Sequence, residues 1–198
     1  MKTCYPPRTS LGVILLATVY LASVGSAAEP AVPDSQVVAG VWQAHKVRVS
    51  YFGITSQFTC SGLEDHVREI LVHLGARKDA KVRAAGCPGG PNQPSPTAWI
   101  DAEFSTVAPA GDPQARDAVK AYWTTREIGP RRPFFMGEGD CELVDQLQKT
   151  IRDNFALRDV EYRTNCVPHE LSLNGFQVKV QALMPVPEPK GAFVGQRG

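Results

Sequence analysis

The chain has 198 residues, with 21 lysines and arginines against 20 aspartates and glutamates, so its formal net charge is only +1. So balanced a charge provides no long-range attraction for nucleic acid or anionic lipid, and we expect no nucleic-acid partner. The length suffices for one ordinary domain or for two small modules that share a core.

The N-terminal segment 1–28 has the three-part layout of a secretory signal peptide. Lys2 and Arg8 precede an apolar run over 11–22, and small residues follow as far as Ala28. The run is shorter than the roughly 20 apolar residues that a membrane-spanning helix needs. The sequence therefore predicts a cleaved signal peptide, no stable membrane span after cleavage, and a periplasmic or secreted protein.

Four cysteines follow this segment, an even number that favours disulfides in an exported protein. Each of the stretches Cys60–Cys87 and Cys141–Cys166 begins at an amphipathic helical pattern and ends after a short strand pattern. This repetition indicates an internal duplication. Because a duplicated unit closes its own loop, we predict one disulfide within each stretch rather than crossed pairs.

The first module, assigned to 29–112, shows alternating and helical patterns in turn. They predict a strand over 47–52, a helix ending at Gly75, a strand over 80–86 and a strand over 98–106. Ser61 and Glu64 have the spacing of a capping box, which places the start of the helix there.

The second module, assigned to 113–184, repeats this order less clearly. Its patterns predict a short helix from Asp112 running into a strand near 121–128, a helix over 143–155 capped by Asp140, and strands at 160–162 and 176–184. Pro130 and Pro133 fall where the first strand of a second copy belongs, so we expect that strand to be displaced or at a sheet edge. The proline-rich tail 185–198 is predicted to be disordered.

These elements predict an α+β fold of two tandem strand-helix-strand-strand modules, with helices on antiparallel sheet and one disulfide stapling each module. Whether the modules share one sheet is left open. The order of elements resembles that of ferredoxin-like half-folds, and such a resemblance implies no activity.

The densest combination of basic and aromatic residues predicts a surface patch made of Trp123, Arg126, Arg131, Arg132 and Phe134. Stacking and anion contacts at such a patch would bind a protein or polymer partner. The alternative is that the basic side chains only cover core aromatics with their stems.

A second hypothesis is a metal site on the first helix. His66, Glu69 and His73 lie on one flank at spacings of three and four residues, and zinc would need a further ligand. The alternative is a polar border beside the apolar stripe. Cys166 and His169 would chelate only if the thiol were free, and we expect no cofactor.

Carboxylates provide the third hypothesis. Trp99, Asp101 and Glu103 share one strand face, an arrangement suited to sugar binding or to acid and base chemistry, or simply to a solvated face. The acidic residues at the second helix start (Glu138, Asp140 and Glu142) lack the rest of a calcium-binding loop and are explained by the helix dipole.

No standard catalytic string is present in the sequence. The leading interpretation is an exported, non-catalytic, disulfide-stapled binding or scaffold protein with an unknown protein or polymer partner. The alternatives are a periplasmic metal-binding or redox protein and a small hydrolase.

Overall fold

The computed structural model describes residues 36–90, 92–112, 117–164, 166 and 175–187, all within the compact unit Val32–Gly198. The predicted signal peptide, His169 and most of the predicted proline-rich tail lie outside the described residues. Within the described ranges, no helix is long and apolar enough to cross a membrane.

The described residues form one antiparallel sheet of six strands and two helices. The strands are β1 (Val37–Phe52), β2 (Lys81–Ala85), β3 (Thr97–Pro109), β4 (Ala118–Ile128), β5 (Leu157–Thr164) and β6 (Phe176–Pro185), and the helices are α1 (Cys60–His73) and α2 (Cys141–Asn154). The strand order is β2-β3-β1-β4-β6-β5. The α+β prediction is confirmed, and the strands of both predicted modules belong to a single sheet.

The long strand β1 organises this sheet. It pairs with β3 from Gly40–Pro109 to Phe52–Thr97, and with β4 from Val37–Tyr122 to Val41–Ala118. The sheet coils so far that β3 and β6, which are not neighbours in the strand order, also contact each other. One face, here called the helix face, packs against both helices, and the other is called the open face.

The helix face holds the main core. Each helix contributes a buried apolar stripe with helical spacing, made of Leu63, Val67, Ile70 and Leu71 in α1 and Leu143, Val144, Leu147 and Ile151 in α2. Burying each of these side chains contributes about 1.5–3 kcal/mol. The amphipathic helical patterns that begin at Cys60 and Cys141 thus correspond to two helices, each with a buried apolar side.

The N-terminal part of β1, before Val47, was not predicted from the sequence. The residues from Val37 to Trp42 are all apolar, so they show no alternation. The reason is a second apolar cluster on the open face, where Val107, Ala121 and Leu183 are buried beside Trp42. Because Trp42 contacts this cluster from the face that carries Lys46 and Arg48 further along β1, this part of the strand does not display the period of two that marks a half-buried strand.

The predicted capping box at Ser61 is wrong. The N-cap of α1 is Thr59, whose hydroxyl accepts a hydrogen bond from the Gly62 amide at 2.9 Å. Glu64 does not bond back to the helix start. Its carboxylate accepts from the amide of Ala84 at 2.8 Å and so ties α1 to the edge strand β2.

The start of the second module also differs from expectation. Where the short helix was predicted, the described residues from Ala118 onward are already strand. Trp123, Thr124 and Thr125 favour a strand, and pairing with both β1 and β6 decides in its favour. β4 is therefore central rather than at an edge, and it ends at Ile128, before Pro130.

The two disulfides join Cys60 to Cys87 and Cys141 to Cys166, as predicted. In each pair, the first cysteine is the first residue of a helix and the second lies two residues beyond a strand at the edge of the sheet. Each bridge therefore fastens a helix start to the sheet edge.

Candidate functional site

Two loops meet at the N-terminal end of α1, and we call this place the loop junction. The loop 53–59 connects β1 to α1, and the loop 129–140 connects β4 to α2. The second loop begins near the C-terminal end of α1, where the ring of His73 donates from Nε2 to the carbonyl of Glu127 at 3.0 Å. It then passes along α1 until it reaches the loop 53–59.

The first part of the loop 129–140 is held by its own backbone. Gly129 and Arg132 exchange two hydrogen bonds of 2.7 and 2.8 Å, and the Arg131 amide donates to the Met136 carbonyl at 2.7 Å. Met136 is buried, whereas Phe134 is 89 % exposed. Arg131 has a left-handed backbone with φ of 64°, which is uncommon for a residue other than glycine and is typical of functional loops.

A continuous row of ring contacts leads from this loop into the core, and we call it the aromatic row. Consecutive ring centroids along it are 6.2, 5.9, 4.9 and 5.7 Å apart, in the order Phe134, Phe135, His66, Phe58 and Tyr51. Such distances lie within the range of favourable aromatic pairs. The exposed Phe134 is thus the outer end of a packed structure.

Asp140 lies buried beneath the aromatic row. Its carboxylate accepts from the Gly137 amide at 2.6 Å and lies 3.6 Å from Nε2 of His66. Burial raises the pKa of Asp140 above its usual value of 3.8, although the bond from Gly137 and the charge of His66 act in the opposite direction. Asp140 therefore binds a proton more readily than an exposed aspartate.

This shift makes a testable prediction for Asp140→Asn. An acid whose folded-state pKa is raised adds stability below its unfolded pKa, and that contribution is lost as the pH rises through the folded pKa. The wild-type protein should lose this contribution as the pH rises above about 4, whereas the amide variant should not. Urea unfolding midpoints across this range measure the difference, with the exposed Glu138→Gln as control. Equal pH slopes in the wild-type protein and the Asp140→Asn variant would contradict the prediction.

Glu142 holds the opposite side of the junction. Its buried carboxylate accepts from the Ile54 amide at 2.8 Å and from the amide and hydroxyl of Thr55 at 3.0 and 3.2 Å. One turn further along α2, the side-chain amide of Gln146 bonds both the N–H and the carbonyl of Phe52 at 2.8 Å. The start of α2 thus fixes the end of β1 and the loop that follows it.

The residues of the predicted metal site have separate partners. His66 belongs to the aromatic row, Glu69 is exposed, and burial lowers the pKa of His73, which bonds to Glu127. Within the described part of the chain, no group of three or more His, Cys, Asp or Glu residues is arranged to hold a metal ion.

The five residues of the predicted basic and aromatic patch do not form one surface. Trp123 lies on the open face beneath the guanidinium of Arg158, which is 3.8 Å from the ring centroid. Arg126 lies on the helix face, with its Nε buried and without a hydrogen-bond partner. The remaining three residues stay together in the loop 129–140, where Arg132 pairs with Glu127 at 3.0 Å.

Asp101 and Glu103 lie on the open face, each beside a cation. Arg48 contacts Asp101 through two hydrogen bonds of 2.6 and 2.8 Å, and Lys46 contacts Glu103 at 2.6 Å. These partners lower the pKa of both carboxyl groups. A general acid at neutral pH needs the opposite shift, so neither group is tuned for that role.

The sequence contained little information about the loop junction. Glu142 was explained as a carboxylate at a helix start. Its hydrogen bonds instead connect it to Ile54 and Thr55, which precede it by 88 and 87 positions in the sequence. Pairings of this kind leave no local pattern. The one signal available in the sequence was the clustering of Phe134 and Phe135 beside two arginines in the loop 129–140.

Comparison of the chain with protein-family models, curated proteins and solved structures finds no match.

Proposed function

We propose that this chain is an exported binding protein whose protein partner docks on the loop 129–140, with Phe134 as the anchor and Arg131 and Arg132 beside it. The observation that carries the proposal is the 89 % exposure of Phe134 on a loop that is tied down on both sides. A large apolar ring presented to solvent in this way is an unfavourable arrangement that a partner would relieve.

The composition of this surface is that of a binding hot spot. Aromatic residues and arginines contribute most of the energy in typical protein interfaces, usually as a small central cluster. The backbone bonds of the loop and the packing of Phe135 against His66 fix the loop before binding. A partner therefore orders few groups when it binds, which reduces the entropic cost of association.

Export is supported by the signal-like N-terminus and by two disulfides, which persist in oxidising compartments. We also propose that the chain arose by internal duplication. The same separation of 81 residues relates the cysteines that begin the helices (60 and 141), two tryptophans (42 and 123) and the arginines over those tryptophans (77 and 158).

The two halves differ at the connection where we place the binding site. β1 continues to Phe52, whereas β4 ends at Ile128, so the connection to the following helix is longer in the second half. A duplicated scaffold that lengthens one of two equivalent connections supports a specific role for that connection, since loops on rigid scaffolds commonly carry function.

The alternatives have less support. A redox or metal-binding role would need free thiols or clustered ligands, and all four described cysteines are paired. A hydrolase acting through Asp101 and Glu103 would need one raised pKa, and both are lowered.

The proposal predicts that Phe134→Ala weakens partner binding at least about tenfold and leaves the melting temperature unchanged, because the ring contacts only Phe135 among the described aromatic groups. The measurement is crosslinking of the tagged, exported protein in its producing cells, followed by titration of the captured partner against each variant. Trp99→Ala, which removes another exposed aromatic ring, is the matched control. A partner that binds the Phe134→Ala variant and the wild-type protein equally would refute this function.

A further inference from the structure

A second surface, on the open face at the β2 edge of the sheet, combines exposed aromatic rings with an ordered set of charges. The strand register aligns three cross-strand rows there, which read from β2 through β3 to β1 as Lys81, Glu103, Lys46; Arg83, Asp101, Arg48; and Ala85, Trp99, Ser50. We call these rows, with the adjoining Phe52 and Thr97, the open-face platform.

Trp99 is the centre of the platform and is 55 % exposed. Its cross-strand neighbours Ala85 and Ser50 have small side chains, so the indole projects beyond them from the surface of the sheet. Gly86 has φ of +78°, and a Cβ there would lie 2.9 Å from Cδ1 of the indole. The chain therefore passes close to one edge of the ring and limits its movement, while most of the ring stays accessible.

Phe52 supplies a second ring on the same face, and it is 54 % exposed. It is paired with Thr97, whereas Ser50 is paired with Trp99, so the two rings are diagonal neighbours. Diagonal positions in an antiparallel sheet are about 7–8 Å apart. Two exposed rings on neighbouring strands of one face form a stacking surface for a ligand with several flat or ring-shaped units.

The charges beside the rings have a positive excess. The two charged rows contain four cations and two carboxylates, and the carboxylates are paired with Arg48 and Lys46 on β1. Arg83 and Lys81 on β2 make no ion pair with any described residue and are exposed. The platform therefore offers two uncommitted cations next to Trp99, together with carboxylate and hydroxyl oxygens that accept hydrogen bonds.

From this combination we infer that the open-face platform binds an acidic polysaccharide. Sugar rings stack on Trp99 and Phe52, the uronate carboxylates of the polymer pair with Arg83 and Lys81, and sugar hydroxyls donate to Asp101 and Glu103. A single-stranded nucleic acid also combines rings and negative charge. Its phosphates carry no hydroxyl donors for the platform carboxylates, whereas every unit of a polysaccharide carries hydroxyl groups.

This inference is independent of partner binding at Phe134, because the two surfaces share no residue. The test is affinity electrophoresis of the exported protein in gels that contain alginate, a polyuronate, with dextran as the neutral polymer. We expect retardation by alginate that weakens with salt, and no retardation by dextran. Trp99→Ala should raise the apparent dissociation constant at least about tenfold, and Arg83→Ser should raise it several-fold.

Controls separate the two proposals. Phe134→Ala should be retarded like the wild type, whereas a loss of retardation would assign alginate binding to the loop 129–140 and overturn this inference. Trp99→Phe, which keeps a stacking ring, should restore part of the affinity. The inference is also wrong if alginate does not retard the wild type, if the Trp99→Ala and Arg83→Ser variants are both retarded equally with it, or if oligo(dT) competes more strongly than an alginate oligomer.

Discussion

Replacing Cys60 and Cys87 together by alanine is expected to lower the free energy of unfolding by about 3.5 kcal/mol. The bridge closes a loop across a sequence separation of 27 residues, and the chain-entropy relation gives a stabilisation of this size for such a loop. The bridge also fastens the edge strand β2, which pairs along five positions of β3 and has no other strand partner in the described sheet.

Urea unfolding of the oxidised wild-type and double-alanine proteins measures this effect. The matched variant replaces Cys141 and Cys166, whose separation of 25 residues predicts nearly the same loss. The two variants should differ in function, because only the first loosens the chain at Gly86 beside Trp99. Alginate retardation should therefore fall in the first variant alone. A loss of stability below about 1 kcal/mol in both variants would mean that the bridges add little to the folded state.

The parts of the fold that were predicted from the sequence depend on contacts between residues close in the chain. The buried stripes of α1 and α2 repeat at helical spacing, and the paired cysteines flank the same helix and strand patterns. The N-terminal part of β1 was missed because Trp42 on its open face contacts an apolar cluster built by β3, β4 and β6, which no local pattern reveals.

The errors at the candidate site also arise from structure that the local sequence pattern does not show. Trp123 and Arg126 were grouped with the loop residues because basic and aromatic residues are dense over 123–134. In the strand β4, an odd separation places them on opposite faces, so only the loop residues of the predicted patch remain together. Glu64 likewise fits a local capping box, yet its carboxylate bonds to β2.

Long-range polar bonds connect the two halves of the chain at the loop junction. Both helices begin at this place, and three side chains there bridge segments remote in sequence: His66, Glu142 and Gln146. A partner docked on Phe134 would rest on a structure that contains both halves. The aromatic row supplies the apolar part of this support, and the carboxylate of Glu142 supplies the polar part.

Glu142→Ala is expected to lower the free energy of unfolding by about 3 kcal/mol. The substitution leaves the amides of Ile54 and Thr55 and the hydroxyl of Thr55 without their acceptor at a half-buried position. Hydrogen bonds to a charged acceptor contribute about 1.5–3 kcal/mol each, and an unpaired buried donor costs about 1–3 kcal/mol, although water reaching the loop would offset part of this loss.

The measurement is the urea unfolding curve of Glu142→Ala against that of Glu138→Ala, which removes an exposed carboxylate just before the same helix and should change stability by less than about 0.5 kcal/mol. Glu142→Gln should fall between the wild type and Glu142→Ala, because its amide oxygen still accepts while its N–H groups face other donors. Amide hydrogen exchange should speed up first at residues 54 and 55. If the Glu142→Ala and Glu138→Ala variants are equally stable, the carboxylate is not what fixes the loop 53–59, and the bonds from Gln146 to Phe52 must hold the end of β1 without it.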